Sequence, residues 1–297
     1  MSPVVPTPWH LVHTPEKGLD IVRPQGTAAA VVYSLPHSGR YYPDSFIAEA
    51  RQSGRGLRAS EDAFVDDMVA LNPDQGVFGV ACRYARAFCD VNRNPLELDA
   101  RLIRGELPKA ALSLSARVKA GFGVVARRIA ADQDIYRQPL DMEEVERRID
   151  LVHRPYHWTL LKLIREASAY GQPVRLIDWH SMPSTALGQI SGAKPDIILG
   201  NLHGESCSEA LTRKVKSVLE KEGLRVGLNR PFAGGYIIEH YGRPAGLNVG
   251  GTAVRVEALQ IEVNRAIYMD EATMEPHSGL KELAAVFRVL TGELIAG

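Results

Sequence analysis

Ala28-Ala29-Ala30-Val31-Val32-Tyr33-Ser34-Leu35 is an unbroken apolar run closed by Pro36. A strand with one wet face alternates apolar and polar residues. A continuous run of this length reads instead as a strand buried on both faces. Working outward, residues 77–82 form a second short apolar run, and residues 174–179, 196–199, 224–228 and 256–263 repeat the pattern. Between these runs lie stretches with helical character. One extends from Ser60, a suitable N-cap, through Leu71. Residues 110–131 and 142–170 are rich in Arg, Glu, Leu and Ile, with Pro155 set to kink or split the second. Gly171 and Pro173 stop it. Residues 205–222 precede Gly223, which suits a C′ position, and residues 278–290 close the pattern.

Apolar strands alternating with helices predict an α/β architecture, with a mixed or largely parallel sheet covered on both faces. No linker, repeat or low-complexity segment interrupts residues 1–297, so a single catalytic domain is expected. A chain of 297 residues buries about three quarters of its unfolded surface and needs no covalent staples. Apolar residues are 45%, charged residues 24%, and the formal net charge is zero. That balance argues against nucleic acid or an anionic membrane as a bulk electrostatic partner. No stretch of about 18 apolar residues suggests a transmembrane helix. Residues 1–10 hold three prolines and no basic, then apolar, leader pattern, so a cytoplasmic location is expected. The cysteines, Cys82, Cys89 and Cys207, contain no CxxC pair; they read as buried thiols in a reducing compartment.

Chemically capable side chains collect at the ends of the apolar runs. His37 follows the first, His180 follows residues 174–179, Asn229 follows residues 224–228, and Glu262 lies near the end of the run from Val256. In open α/β sheets ligands bind outside the carboxyl ends of strands. Two imidazoles and one carboxylate form the usual protein set of a catalytic zinc site, which keeps a further position open. His37 and His180 are candidates for the nitrogens. Glu61 or Asp62 supplies the oxygen, both sitting at the start of the next helical stretch. Water on such an ion ionises near pH 7, and Glu262 is placed to carry its proton to a leaving amine. Two further clusters add recognition chemistry. Arg86, Asp90, Asn92 and Arg93 form one, and Asn229-Arg230-Pro231-Phe232-Ala233-Gly234-Gly235-Tyr236 the other. Arginines grip carboxylates bidentately, and glycines let the backbone approach a ligand.

Taken in order, these pieces form a longer signature. It runs Pro36-His37-Ser38-Gly39, Asp62, Arg86, Asp90-Val91-Asn92-Arg93, Asp178-Trp179-His180-Ser181-Met182 and Gly200. It continues with Ser206-Cys207, Asn229-Arg230-Pro231-Phe232, Gly234-Gly235-Tyr236-Ile237 and Tyr241-Gly242-Arg243-Pro244. Gln260-Ile261-Glu262-Val263-Asn264-Arg265 and Tyr268-Met269-Asp270 complete it. The series resembles the N-formylglutamate amidohydrolase family from about Ser34 to Glu271. The resemblance implies a three-layer α/β/α sandwich like that of zinc carboxypeptidases. It implies hydrolysis of N-formyl-L-glutamate to formate and glutamate, a step of histidine catabolism, and a small acidic molecule as substrate. It also implies zinc, with manganese or iron close in ligand preference, on His37, Asp62 and His180. Glu262 then acts as general base and acid, and Arg86 joins it in catalysis as an oxyanion donor. Arg93, Asn92, Asn229, Gly235 and Arg265 contact substrate, and Asp178 orients His180. The tract Asn94-Pro95-Leu96-Glu97-Leu98-Asp99 resembles a subgroup of the family rather than the members tied to histidine breakdown.

Overall fold

The computed structural model describes residues 18–51, 54–130 and 133–296. The chain divides into two compact units. The first comprises Met1–Asp20, Pro36–Glu61 and Cys82–Trp158; the second comprises Ile21–Leu35, Asp62–Ala81 and Thr159–Gly297.

The second unit holds the apolar runs, and they form strands as expected. The eight-stranded sheet contains β1 (Leu19–Val22), β2 (Val31–Leu35), β3 (Phe78–Cys82), β4 (Val174–Met182), β5 (Ile197–Gly200), β6 (Val226–Leu228), β7 (Arg243–Val249) and β8 (Thr252–Asn264). Their order is β1-β3-β2-β4-β8-β5-β6, with β7 paired to β8. The pairs β2–β3, β2–β4, β4–β8 and β5–β6 are parallel, whereas β5–β8 and β7–β8 are antiparallel. The fold is therefore α/β with a mixed, largely parallel sheet.

Side chains alternate across a strand, and that period sorts the centre of the sheet into two chemistries. Val31, Tyr33 and Leu35 on β2, Ile177 and Trp179 on β4, Leu259, Ile261 and Val263 on β8, and Ile197 and Leu199 on β5 share one apolar core. The helices Val65–Val69, Glu209–Lys221 and Gly279–Ala296 bring their buried residues to the same core. Trp179 is fully buried there, with its ring centroid 4.7 Å from that of Phe287 and 5.5 Å from that of Tyr33. The intervening residues, Ser34, Asp178, His180, Gln260 and Glu262, face the other way and are buried as well.

In the first unit the core forms around a charge. The Arg148 side chain is fully buried, with its guanidinium carbon 4.5 Å from the Phe88 ring centroid and 5.4 Å from that of Tyr136. Its nitrogens donate to Glu49 at 2.7 Å, Glu144 at 2.6 Å and the Tyr136 hydroxyl at 2.6 Å. The cation is thus fully paired, as a buried charge must be.

Several sequence expectations shift. The helix expected over residues 110–131 is a single turn, Ala116–Lys119, capped by Ser115, and Arg128–Ala130 is extended. Gly121 has φ +95° there, and Arg127 is drawn to Asp99 at 2.8 Å and Asp134 at 2.9 Å. Long-range ion pairs override the local helix preference. Ser60 does not cap a helix: its hydroxyl donates to the Leu57 carbonyl, and the helix that follows is only Val65–Val69, entered from Phe64 at φ 63°. Pro155 interrupts the helix as expected. The backbone widens to π turns over Ile149–His153, then resumes as Arg154–Ala167, which makes room for the proline ring. All three cysteines are buried and free. Among the described residues, no helix is long and apolar enough to cross a membrane.

Truncating Trp179 to Ala removes the largest side chain from the sheet core. Urea unfolding should show a stability loss of about 3–5 kcal/mol; a loss under about 1 kcal/mol would show that the core closes over the cavity.

Candidate active site

The strand expected over residues 174–179 runs on to Met182, so His180 lies inside β4 rather than beyond it. Its register partner on β8 is Glu262, and Asp178 pairs with Gln260 one pleat earlier. Directly opposed residues share a face. The polar face therefore carries His180 beside Glu262 and Asp178 beside Gln260. Ser34 on β2 pairs with Asp178 and donates to its Oδ1 at 2.6 Å. Gln260 donates to Glu262 Oε1 at 2.9 Å, which fixes the carboxylate next to the imidazole.

His180 is held from both sides. Nε2 lies 2.8 Å from Asp178 Oδ2, and Nδ1 lies 2.9 Å from Asp62 Oδ2. Burial disfavours the charged ring, but Asp178, the Asp62 contact and Glu262 outweigh it and raise the imidazole well above its usual value. A neutral imidazole has one N–H, so it satisfies one carboxylate and presents a lone pair to the other. A second proton or a metal cation reconciles both contacts. Asp62 is fixed by its surroundings: Arg265 Nη2 donates to its Oδ1 at 3.3 Å, and the Tyr268 hydroxyl binds the carbonyl of neighbouring Ala63 at 2.9 Å. Arg265 Nε also donates to Ser181 at 3.1 Å.

In the first unit His37 shows the same pattern. Its Nε2 lies 2.7 Å from Asp90 Oδ1, and both side chains are buried. Arg86 donates to Asp90 Oδ2 at 2.7 Å, the Asn92 amide donates to Oδ1 at 2.8 Å, and Arg93 approaches to 4.0 Å. Burial would raise the Asp90 carboxyl, yet Arg86, His37 and Arg93 together hold it well below the usual carboxylate range. His153 and His157 pin this loop by its backbone, His153 at the Arg93 carbonyl (2.9 Å) and His157 at the Val91 carbonyl (2.8 Å). Their i,i+4 spacing thus serves loop support. An imidazole that holds a metal typically gives its other nitrogen to a carboxylate, which is the relation of His37 to Asp90 and of His180 to Asp178. His37, Asp62 and His180 form a buried group that could hold a metal ion.

A family model of N-formylglutamate amidohydrolase matches residues 29–269. The chain belongs to the N-formylglutamate amidohydrolase family. It is a hydrolase acting on an amide. Two curated relatives are N-formylglutamate deformylases. That of Pseudomonas putida is 28% identical over 89% of this chain and 90% of its own length. That of Pseudomonas aeruginosa is 27% identical over 89% and 91%. The crystal structure of an N-formylglutamate amidohydrolase from Ralstonia eutropha JMP134 superposes with TM-score 0.83 at 30% identity, covering 92% of this chain and 95% of that one. A gene product of Agrobacterium tumefaciens shares the fold, with TM-score 0.62 at 16% identity over 94% and 95%.

The remaining expected site residues are spread over different tasks. Glu61, the alternative carboxylate ligand, is occupied by the Tyr42 hydroxyl at 2.6 Å and by Arg58 at 3.1 Å. Burial raises it, and Arg58 and Tyr42 pull the other way without cancelling the rise. Asp62, one residue on, is the carboxylate that meets His180. Asn229 sits at φ 57° and pairs reciprocally with Asn201, accepting from its amide at 3.0 Å and donating to its Oδ1 at 2.9 Å. This pair ties the loop after β5 to the loop after β6. Gly235 is extended at the start of the helix Tyr236–Tyr241, whereas Gly234 has φ +149°. Gly200 is required by packing, since a Cβ there would lie 2.8 Å from the Ala233 carbonyl oxygen. His203 lies exposed in a tight turn. The exposed His240 stacks on Tyr236 with ring centroids 5.1 Å apart. Burial pushes the Cys89 thiol up, the opposite of an activated nucleophile.

Ser34 and Gln260 were given no role by the sequence, and Asp90 was placed in a recognition cluster rather than as the partner of His37. The signal for Gln260 was a polar residue two before Glu262 in an apolar strand. For Asp90 it was an acid flanked by two arginines.

Because its folded value is depressed, Asp90 stabilises the fold above the unfolded carboxylate range near pH 4. That stability is lost as pH falls through the folded value. In metal-free protein, Asp90→Asn should therefore flatten the acid limb of stability against pH. An unchanged acid limb would show that Asp90 is not depressed.

Proposed function

We propose that this chain hydrolyses the amide of N-formyl-L-glutamate, or of a similar N-acyl acidic amino acid, as a metal-dependent enzyme whose catalytic domain spans the chain. The observation that carries the metal reading is the repeated pairing of imidazole with carboxylate, His37 on Asp90 and His180 on Asp178. The substrate reading draws on the names of the two Pseudomonas relatives and the Ralstonia structure.

In this reading His37, Asp62 and His180 hold one divalent ion, with zinc favoured by two nitrogens and one oxygen. When bound, the ion supplies Lewis acidity, polarising the amide carbonyl and bringing the ionisation of water near neutral pH. The chain's own groups do the rest. Asp178 and Asp90 fix the ring orientation of the two imidazoles. Arg265 acts through Asp62, holding the oxygen that does not meet His180. Glu262 takes the proton of the attacking water and delivers it to the departing amine nitrogen, so one carboxylate serves both halves of the reaction. Gln260 keeps that carboxylate in place. Arg86 stabilises the developing oxyanion, a contribution of about 3–4 kcal/mol per donor in comparable sites. Arg93, Asn92 and Gly235 line the substrate side, and Asn229 shapes the loop.

Elemental analysis should find about one metal per chain in both wild type and Glu262→Gln. Release of glutamate from N-formyl-L-glutamate should drop at least about 100-fold in the variant. Full activity in Glu262→Gln would remove Glu262 from the mechanism, and full activity after chelation would remove the metal. Asp178→Asn should weaken metal binding by about 10- to 100-fold in a chelator competition. Unchanged affinity would show that Asp178 does not support a ligand.

A further inference from the structure

The row of side chains on this face of the sheet does not end at Glu262. Across the antiparallel pair β5–β8, the register partner of Glu262 is Ile198. His180, Glu262 and Ile198 therefore stand side by side on one face, across three adjacent strands. Ile198 is also a wall of a cavity of about 790 Å³. One wall of the cavity thus stands one strand spacing from the carboxylate assigned to proton transfer, and its lining residues all belong to the second unit.

Its walls are mainly apolar: Ile190, Ala193, Pro195, Ile198, Leu228 and Pro231 contribute to them. At β6 the backbone passes with no side chain, since Gly227 is the register partner of Ile198 and a Cβ there would lie 2.7 Å from Ile198 Cδ1. Two arginines also line the space. Arg225 is already neutralised by Asp196, donating to Oδ1 at 2.7 Å and to Oδ2 at 2.9 Å. Arg230 is exposed, and among the described residues it has no hydrogen bond or ion pair. Arg86 and Arg265, by contrast, are engaged with Asp90 and Asp62.

An apolar passage leading to one uncommitted cation matches an acidic side chain: methylenes take the walls and a terminal carboxylate takes the guanidinium. We infer that this cavity is the side-chain pocket for the substrate and that Arg230 selects an acidic side chain by gripping its distal carboxylate. The inference rests on the proposed amide hydrolysis and adds to it the residue that sets specificity.

The test compares N-formyl-L-glutamate with N-formyl-L-methionine, which is similar in length and uncharged at its end. In Arg230→Met the ratio of kcat/KM for the two substrates should fall by about 10- to 100-fold, the loss expected for a charge-assisted contact. The fall should come from KM for the acidic substrate, and Arg230→Lys should restore part of it. Equal losses on both substrates would assign Arg230 a structural role, and an unchanged ratio would remove it from recognition. Ala193→Trp, which fills the exposed side of the cavity, should lower kcat/KM for both substrates; no change for either would place the substrate elsewhere. Calorimetric titration of L-glutamate into the zinc-loaded wild type and Arg230→Met separates the two readings. If wild type hydrolyses neither formyl compound yet binds glutamate more tightly than the variant does, the hydrolysis proposal fails and the pocket assignment stands. Equal glutamate binding by both proteins overturns the assignment whatever the turnover.

Discussion

The pairing of β4 with β8 is the constraint on which the site depends. Nine consecutive residue pairs fix this register, from Val256 with Val174 to Asn264 with Met182. Because side chains alternate with a period of two, one choice of register settles both faces at once. Trp179 and Ile261 fall into the apolar core, and His180 and Glu262 fall together on the other side. A slip of one residue would bring charged groups into the core and expose tryptophan to the polar face. The hydrophobic cost of that error protects the alignment of His180 with Glu262, so the energy that holds the fold also aligns the proposed chemistry.

The polar face then has to carry charge at buried positions. It does so by giving each ionisable group a partner in its own neighbourhood. Ser34 and His180 hold Asp178, Gln260 holds Glu262, and Arg265 holds Asp62. In the first unit Arg86, Asn92 and His37 converge on Asp90. Both expected imidazole ligands are oriented by an aspartate, one in each unit. This places more carboxylate around His180 than a neutral ring can satisfy, and the excess favours a bound cation.

The arginines show how the same residue type divides into different tasks. Arg148 stabilises a core through the rings of Phe46, Phe88 and Tyr136 and through three polar partners. Arg225 joins a loop to the sheet through Asp196. Arg86 and Arg265 support carboxylates of the site. Arg230, with no partner among the described residues, is the one whose charge is available to a ligand in the cavity beside Ile198.

The sequence by itself made the central strands legible, because unbroken apolar runs such as residues 28–35 have few other stable uses; Leu19–Val22 and Arg243–Val249, which are not apolar runs, were not expected as strands. It also singled out His37, Asp62, His180 and Glu262, whose residue types suit the chemistry and whose order matches a family signature. It left open Glu61 against Asp62, since adjacent acids look alike until packing assigns Glu61 to Tyr42 and Arg58. It failed over residues 110–131, where Arg127 follows Asp99 and Asp134 instead of its local helix preference. Only the tertiary structure paired His37 with Asp90, 53 positions away, and set Ile198 beside Glu262. Those relations depend on strand order and register, which are fixed by the summed burial of the whole sheet and leave no local mark on the chain.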